Sequence, residues 1–177
     1  MTEWQPITWN IFHHVALNYN EIYKNQYIIF FDTFKILIPC KICKTHYIEN
    51  LNKENLQLEK NINKERIFEW TVDLHNMVNK LNYTRQWSYT EARNHYEKKS
   101  FDNNMLKKFI SEFVRHSLRK NPMKTQQLIR MIKTIPYLHP DEKTKNKLIE
   151  YSTKFELNRF TLKQWMFTFI IILDNIK

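Results

Sequence analysis

The chain contains no glycine. Without it, the two-residue hairpin turns that need a left-handed residue have no natural occupant. The glycine-rich loops that bring backbone amides against a phosphate are likewise excluded. Prolines number only five, and a composition of this kind points to an all-helical protein. No apolar run reaches the length of about 18 residues that a membrane-spanning helix requires. The longest, Trp165 to Leu173, is interrupted by Thr168. Met1-Thr2-Glu3-Trp4-Gln5-Pro6 lacks the basic start and apolar stretch of a signal peptide. These features read as a soluble, cytoplasmic chain without membrane contact, in which a reactive disulfide has to be regenerated.

Cysteine is nearly absent too, and its placement is informative. The only two occur in Pro39-Cys40-Lys41-Ile42-Cys43. A bridge across so short a loop removes little entropy from the unfolded chain, so it is a poor structural staple. The pair is either a readily exchanged redox disulfide or half of a metal site. In the metal reading, Cys40 and Cys43 are completed by two of His13, His46 and His75.

Acidic residues are scarce in one half only. Residues 1–98 carry 12 Lys+Arg against 11 Asp+Glu, whereas residues 99–177 carry 16 against 7, so nearly all of the net charge of +10 lies in the second half. We therefore expect two domains, 1–98 and 99–177, the latter basic and helical. Its cations alternate with apolar residues, which reads as a solvated helix face before it reads as a nucleic-acid surface.

What the chain does have is helical periodicity. Trp9, Phe12, His13, Ala16 and Leu17 share one face of a first helix that Pro6 can start. Tyr27 to Ile38 reads as a second helix ending at Pro39. Lys41 to Leu51 reads as a third, with Cys40 at its N-terminus, where free N–H groups favour a thiolate. Residues 51–64 read as a polar loop. Glu65 to Leu81 forms a long fourth helix with Ile67, Trp70, Leu74 and Val78 inward. Ser88-Tyr89-Thr90-Glu91 is a capping box that opens a short fifth helix to about Lys98. Farther on, Asp102 caps a helix that places Met105, Leu106, Phe109, Ile110, Phe113 and Val114 on one face. Further segments run from Thr125 to Ile135 before Pro136, from Pro140 (at N1) onward, and from Thr161 to Ile176.

On the fourth helix, His75, Asn76 and Asn79 share a polar face on an otherwise apolar element. Trp9, His13, Trp70, Trp87 and Tyr96 supply flat aromatic groups around it. One reading is a solvated edge; the other is a wall for a planar, polar-edged cofactor.

Four blocks in order make the pattern specific. They are Trp4-Gln5-Pro6-Ile7-Thr8-Trp9 with His13, Pro39-Cys40-Lys41-Ile42-Cys43 with His46-Tyr47, Phe68-Glu69-Trp70 with His75-Asn76-Met77-Val78-Asn79-Lys80-Leu81, and Trp87-Ser88 with Tyr96. Together they resemble the Erv/ALR family of FAD-linked sulfhydryl oxidases, in particular the enzymes of large DNA viruses. The resemblance covers roughly residues 4–97. It implies an all-α four-helix bundle with a short fifth helix holding FAD at one end; the C-terminal helical domain lies outside the resemblance and is read from its residues alone. It implies FAD contacts from Trp9, His13, Tyr19, His75, Asn76, Val78, Asn79, Lys80, Trp87 and Tyr96, with Cys43 beside the flavin and Cys40 meeting the incoming thiol.

The activity implied is thiol oxidation. Substrate dithiols reduce the Cys40–Cys43 pair, electrons pass to FAD, and dioxygen accepts them as hydrogen peroxide. A homodimer, protein dithiol substrates or a separate thiol shuttle protein, and an infected host cytoplasm or a virion as location are implied with it. Two departures stand out. Gln5 occupies the position of a family glycine, so the backbone there adopts another conformation or loses a close approach. Every cysteine is already used, so the chain carries no shuttle pair. The zinc-binding reading leaves Trp9, Asn76 and Asn79 without a role, and a basic nucleic-acid-binding module leaves the Cys pair without one.

Overall fold

The computed structural model describes residues 4–117 and 121–175, and among them there are ten α-helices, two 3-10 turns and no strand. The first half is built on α1 (Trp4–Leu17), α2 (Lys24–Leu37), α3 (Lys41–Leu51) and α5 (Ile67–Leu81), with the short α6 (Tyr89–Glu97) laid across α1 and α5. This is the four-helix bundle and fifth helix expected from the sequence.

Local chemistry sets the boundaries. Ile38 leaves the helical region at φ −51°, ψ 120°, because the ring of Pro39 disfavours helical geometry in the residue before it. Cys40 then caps α3, its sulfur accepting the Cys43 N–H at 3.2 Å. The capping box of α6 is complete: Ser88 accepts from the Glu91 backbone and Glu91 reaches back to the Ser88 N–H. α2 begins earlier than expected, at Lys24, following a 3-10 turn over Glu21–Tyr23 that Asn20 caps.

The segment 51–64 is more than a polar loop. It contains a 3-10 turn over Glu54–Leu56 and the short α4 (Leu58–Asn61). Beyond Leu51, which ends α3, its three apolar side chains, Leu56, Leu58 and Ile62, are buried. Trp70 fixes the segment from below, its Nε1 donating to the Leu56 carbonyl at 2.9 Å. Three inward hydrophobes and one buried hydrogen bond order a stretch whose average polarity reads as loop.

The second half adds α7 (Asn103–Ser117), α8 (Pro122–Leu138), α9 (Glu142–Lys154) and α10 (Leu162–Asp174). α7 carries the expected apolar face. α8 departs from expectation at both ends: Asn121 caps it, Pro122 opens it, and it continues through Pro136. Proline in the final turn forfeits one hydrogen bond. Burial of Leu128, Met131, Ile132, Ile135 and Leu138 along a helix that packs on α2 outweighs that loss. α9 starts with Asp141 as its cap, the carboxylate accepting the Thr144 N–H at 2.7 Å, so Pro140 lies before the cap and not at N1. α10 follows Thr161; Ile176, expected within this last helix, lies outside the described residues. No helix of the described residues is long and apolar enough to cross a membrane.

The two halves share one core. Phe12, Phe30, Phe31 and Phe34 interlock edge to face, with Trp70 against Phe31 at 4.8 Å. From α7, Phe109 reaches Phe34 at 6.1 Å and Phe113 reaches it at 5.3 Å. α7 lies against α1 and α8 along α2. The second half thereby covers the outer side of the first two helices and leaves their inner side to the site.

Candidate active site

Between α1, α2, α3 and α5 lies a cavity of about 370 Å³. Cys40 and Cys43 form its α3 wall and are joined as a disulfide, with Cα atoms 5.2 Å apart. Trp9 and Phe12 face them from α1, Phe34 and Ile38 from α2, and Val78 and Leu81 from α5. The sulfurs therefore look into a largely apolar slot with flat aromatic sides. Both cysteines are part-buried, and Ile42 between them is exposed, so the pair is reachable from solvent as well as from the slot.

Behind Trp9 is a stack of rings. Trp9 lies parallel to His75, centroids 4.2 Å apart and planes within 6°. His13 is hydrogen-bonded through Nδ1 to Thr71 Oγ1 at 2.9 Å and through Nε2 to His75 Nδ1 at 3.0 Å. Tyr96 from α6 covers His13 at 4.6 Å. Burial lowers the His13 pKa well below its usual value, with the neighbouring histidines adding to the effect, and burial lowers that of His75 to about 4. Both rings are thus neutral near pH 7, and burial raises the Tyr96 phenol to about 12. The cluster is uncharged, hydrogen-bonded and flat.

The remaining expected site residues divide into three groups. Val78 lines the slot. Asn76 and Asn79 hold the chain that follows α5. Asn76 donates Nδ2 to the Trp87 carbonyl at 2.8 Å and accepts the Trp87 N–H at 2.9 Å. Asn79 accepts the Thr84 hydroxyl and, through its carbonyl, the Thr84 N–H. Trp87 is seated by the first of these pairings and meets His95 edge-on at 5.1 Å. Lys80 lies in a second, wider hollow with His46, Lys53, Met77 and Tyr83. Tyr19 is placed apart: past the end of α1, it donates to Glu21 and packs on Tyr27, outside the slot.

Several participants have no prominent sequence signal. Thr71 orients His13, and its position four residues before His75 on α5 is the one clue to it. Ile38 lines the slot without belonging to any recognised block, and Leu81 and Gln5, which stand in such blocks, line it without a chemical role having been expected of them. Among the described residues no group of three or more His, Cys, Asp and Glu is placed to hold a metal ion.

Residues 6–102, more than half of the chain, match the sequence profile of the Erv1 / Alr family. The chain belongs to the Erv1/Alr family. Among similar members, the probable FAD-linked sulfhydryl oxidase R368 of Acanthamoeba polyphaga mimivirus is 34% identical over 100 residues, covering 54% of this chain and 70% of that protein. The FAD-linked sulfhydryl oxidase of African swine fever virus, isolate Pig/Kenya/KEN-50/1950, is 32% identical over 101 residues, covering 55% of this chain and 82% of the relative. No solved structure matches the chain. Within this Erv1/Alr chain, every residue of the slot and of the ring stack lies in the matched segment or at its edge; α7 to α10 lie beyond it.

Proposed function

We propose that the chain is an FAD-dependent sulfhydryl oxidase that forms disulfides in protein dithiols. The observation carrying this reading is the Cys40–Cys43 disulfide set into the wall of an apolar slot backed by the neutral Trp9, His13 and His75 stack. The names of the viral relatives support it. The residues fit a flavin: the slot offers flat aromatic and aliphatic walls, polar edges lie at its back, and a redox pair stands at its side. Trp9, His13, His75, Val78 and Tyr96 are proposed to touch FAD. Asn76, Asn79 and Trp87 are proposed to border it while holding the segment after α5, with Lys80 at the wider hollow and Tyr19 outside the slot. Bound FAD supplies two-electron acceptance from a thiolate and transfer of those electrons to dioxygen, giving hydrogen peroxide.

The protein's own chemistry is thiol–disulfide exchange. A substrate thiolate attacks Cys40 Sγ, forming a mixed disulfide and releasing Cys43 as a thiolate facing the slot. A second substrate thiol resolves the mixed disulfide, leaving oxidised substrate and reduced Cys40. The start of α3 favours negative charge at these sulfurs through its free N–H groups. Residues 1–98 are proposed to hold this chemistry, and the basic residues 99–177 to serve assembly or substrate recruitment. Homodimerisation, a separate thiol shuttle protein and location in an infected host cytoplasm or a virion belong to the same reading.

The purified protein is expected to be yellow, with absorbance at about 450 nm, and to consume dioxygen with dithiothreitol. Cys43→Ser abolishes turnover. Cys40→Ser also abolishes it but leaves a charge-transfer colour from the Cys43 thiolate. Metal without flavin in the native protein, or turnover by either variant, would overturn the reading.

A further inference from the structure

One polar side chain reaches the disulfide from outside its own helix. Gln5, in the first turn of α1, donates from Nε2 to Cys43 Sγ at 3.9 Å, across 38 positions of sequence. A neutral disulfide sulfur is a weak acceptor, whereas a thiolate accepts a charge-assisted bond about twice as strong as a neutral one. The contact therefore favours the reduced pair over the oxidised one.

The surroundings make such a donor consequential. Among the described residues, none of those lining the slot is Lys, Arg, Asp or Glu. Its titratable groups besides the cysteines are His46 and Tyr47, both on α3. Tyr47 is turned away, its hydroxyl donating to the Phe31 carbonyl at 2.9 Å. Lys41 and Lys44, also on α3, do not line the slot. α2 and α5 present uncharged side chains to it, and on α1 the Thr8 hydroxyl is committed to the Trp4 carbonyl at 2.7 Å. A thiolate facing this slot has the α3 N-terminus on one side and the Gln5 amide on the other.

We propose that Gln5 is a positioning residue that stabilises the Cys43 thiolate and so makes the Cys40–Cys43 disulfide easier for substrate to reduce. The step balances: one substrate dithiol and the disulfide give substrate disulfide, Cys40 thiol, Cys43 thiolate and one proton. The amide donor stabilises the charged product and leaves the reactants nearly unchanged. The role assigned to Cys43 rests on the oxidase reading; the effect of Gln5 on the sulfur does not.

The chain has two cysteines, so Cys40→Ser leaves a single thiol whose alkylation by iodoacetamide, followed against pH, reports the Cys43 pKa directly. Measurements use the protein as purified and, in parallel, protein stripped of flavin. Gln5→Met, which keeps length and helix preference, should raise that pKa by about one unit. Gln5→Glu should raise it further, and Gln5→Lys should lower it. In the two-cysteine chain, equilibration with glutathione should show Gln5→Met favouring the disulfide by about tenfold, or about 30 mV. The same order should hold in a His46→Gln background, which removes the imidazole from the slot wall and leaves Tyr47 held by the Phe31 carbonyl. Equal pKa values and equal glutathione equilibria for Gln5, Met and Glu chains of unchanged melting temperature would overturn the proposal. A chain that binds no flavin yet shows the ordered shifts would overturn the oxidase reading and leave this one standing.

Discussion

At the residue scale, the missing glycine and the buried histidines have separate costs. α5 closes with the Tyr83 N–H bonded to the Lys80 carbonyl and the Thr84 N–H to the Asn79 carbonyl. That closure needs a left-handed residue, usually glycine, and here Tyr83 adopts it at φ 53°. Its side chain is 99% exposed, so little packing would be lost on its removal. Tyr83→Gly is therefore expected to stabilise the protein by roughly 0.5–1 kcal/mol, read as a higher urea midpoint. The histidines set a pH window. Burial lowers His75 and His139 to about 4 from 6.5 and moves His13 in the same direction. The unfolded chain then binds protons that the folded chain refuses, so this stability is complete above pH 6.5 and is lost as pH falls toward 4. Each of His75 and His139 contributes up to roughly 3 kcal/mol to that loss. Urea midpoints should be flat from pH 7 to 8 and decline steadily below 6.5. A midpoint at pH 4.5 equal to that at pH 7 would contradict the assignment of neutral buried rings.

At the scale of elements, α7 supports the site without touching it. Phe113 and Phe109 press on Phe34, and Phe34 is itself a wall of the slot. Removing a fully buried ring leaves a cavity that packed helices fill only in part. Phe113→Ala is thus expected to destabilise the chain by about 3–5 kcal/mol and to loosen cofactor retention, although Phe113 lies in a helix outside the family match. Calorimetry and flavin release on dilution measure the two effects. Loss of stability with wholly unchanged retention would separate α7 from the slot. α3 was legible to the residue because Pro39 and the capping sulfur define its start. α8 was not, because its continuation through Pro136 depends on α2 lying alongside.

At the scale of the molecule, the charge asymmetry and the core divide the chain differently. Charge changes near Lys98, yet buried aromatics run without interruption from Phe12 to Phe113. Apolar area on that scale, at about 25 cal/mol per Å², holds the halves together without a covalent link. Residues 98–100 are exposed between α6 and α7, so limited trypsin should nick at Lys98 or Lys99. The nicked protein should elute as one species on gel filtration and remain yellow, while showing two bands on a denaturing gel. Residues 1–98 expressed alone should aggregate, because Phe30 and Phe34 lose their cover. Separation of the nicked halves with flavin kept by the first would instead show two independent domains.

The sequence by itself determined the helical class, the starts of α3 and α6 and the chemical inventory. Those depend on neighbours within one turn: Pro39 before Cys40, Ser88 with Glu91, apolar residues three and four apart. It also brought the Cys pair and the His75-Asn76-Asn79 face into one pattern. The tertiary structure decided how those groups are spent. Asn76 has the composition of a ligand contact but gives both ends of its amide to Trp87. Gln5 stands out in sequence only as a departure from the expected motif, with no partner indicated, and it meets Cys43. The segment 51–64 is polar on average and is ordered by Trp70 beneath it. The basic half, separate by charge, is joined by packing. In each case the deciding partner lies far away in the chain, and periodicity and capping carry no information about which distant side chain a helix will face.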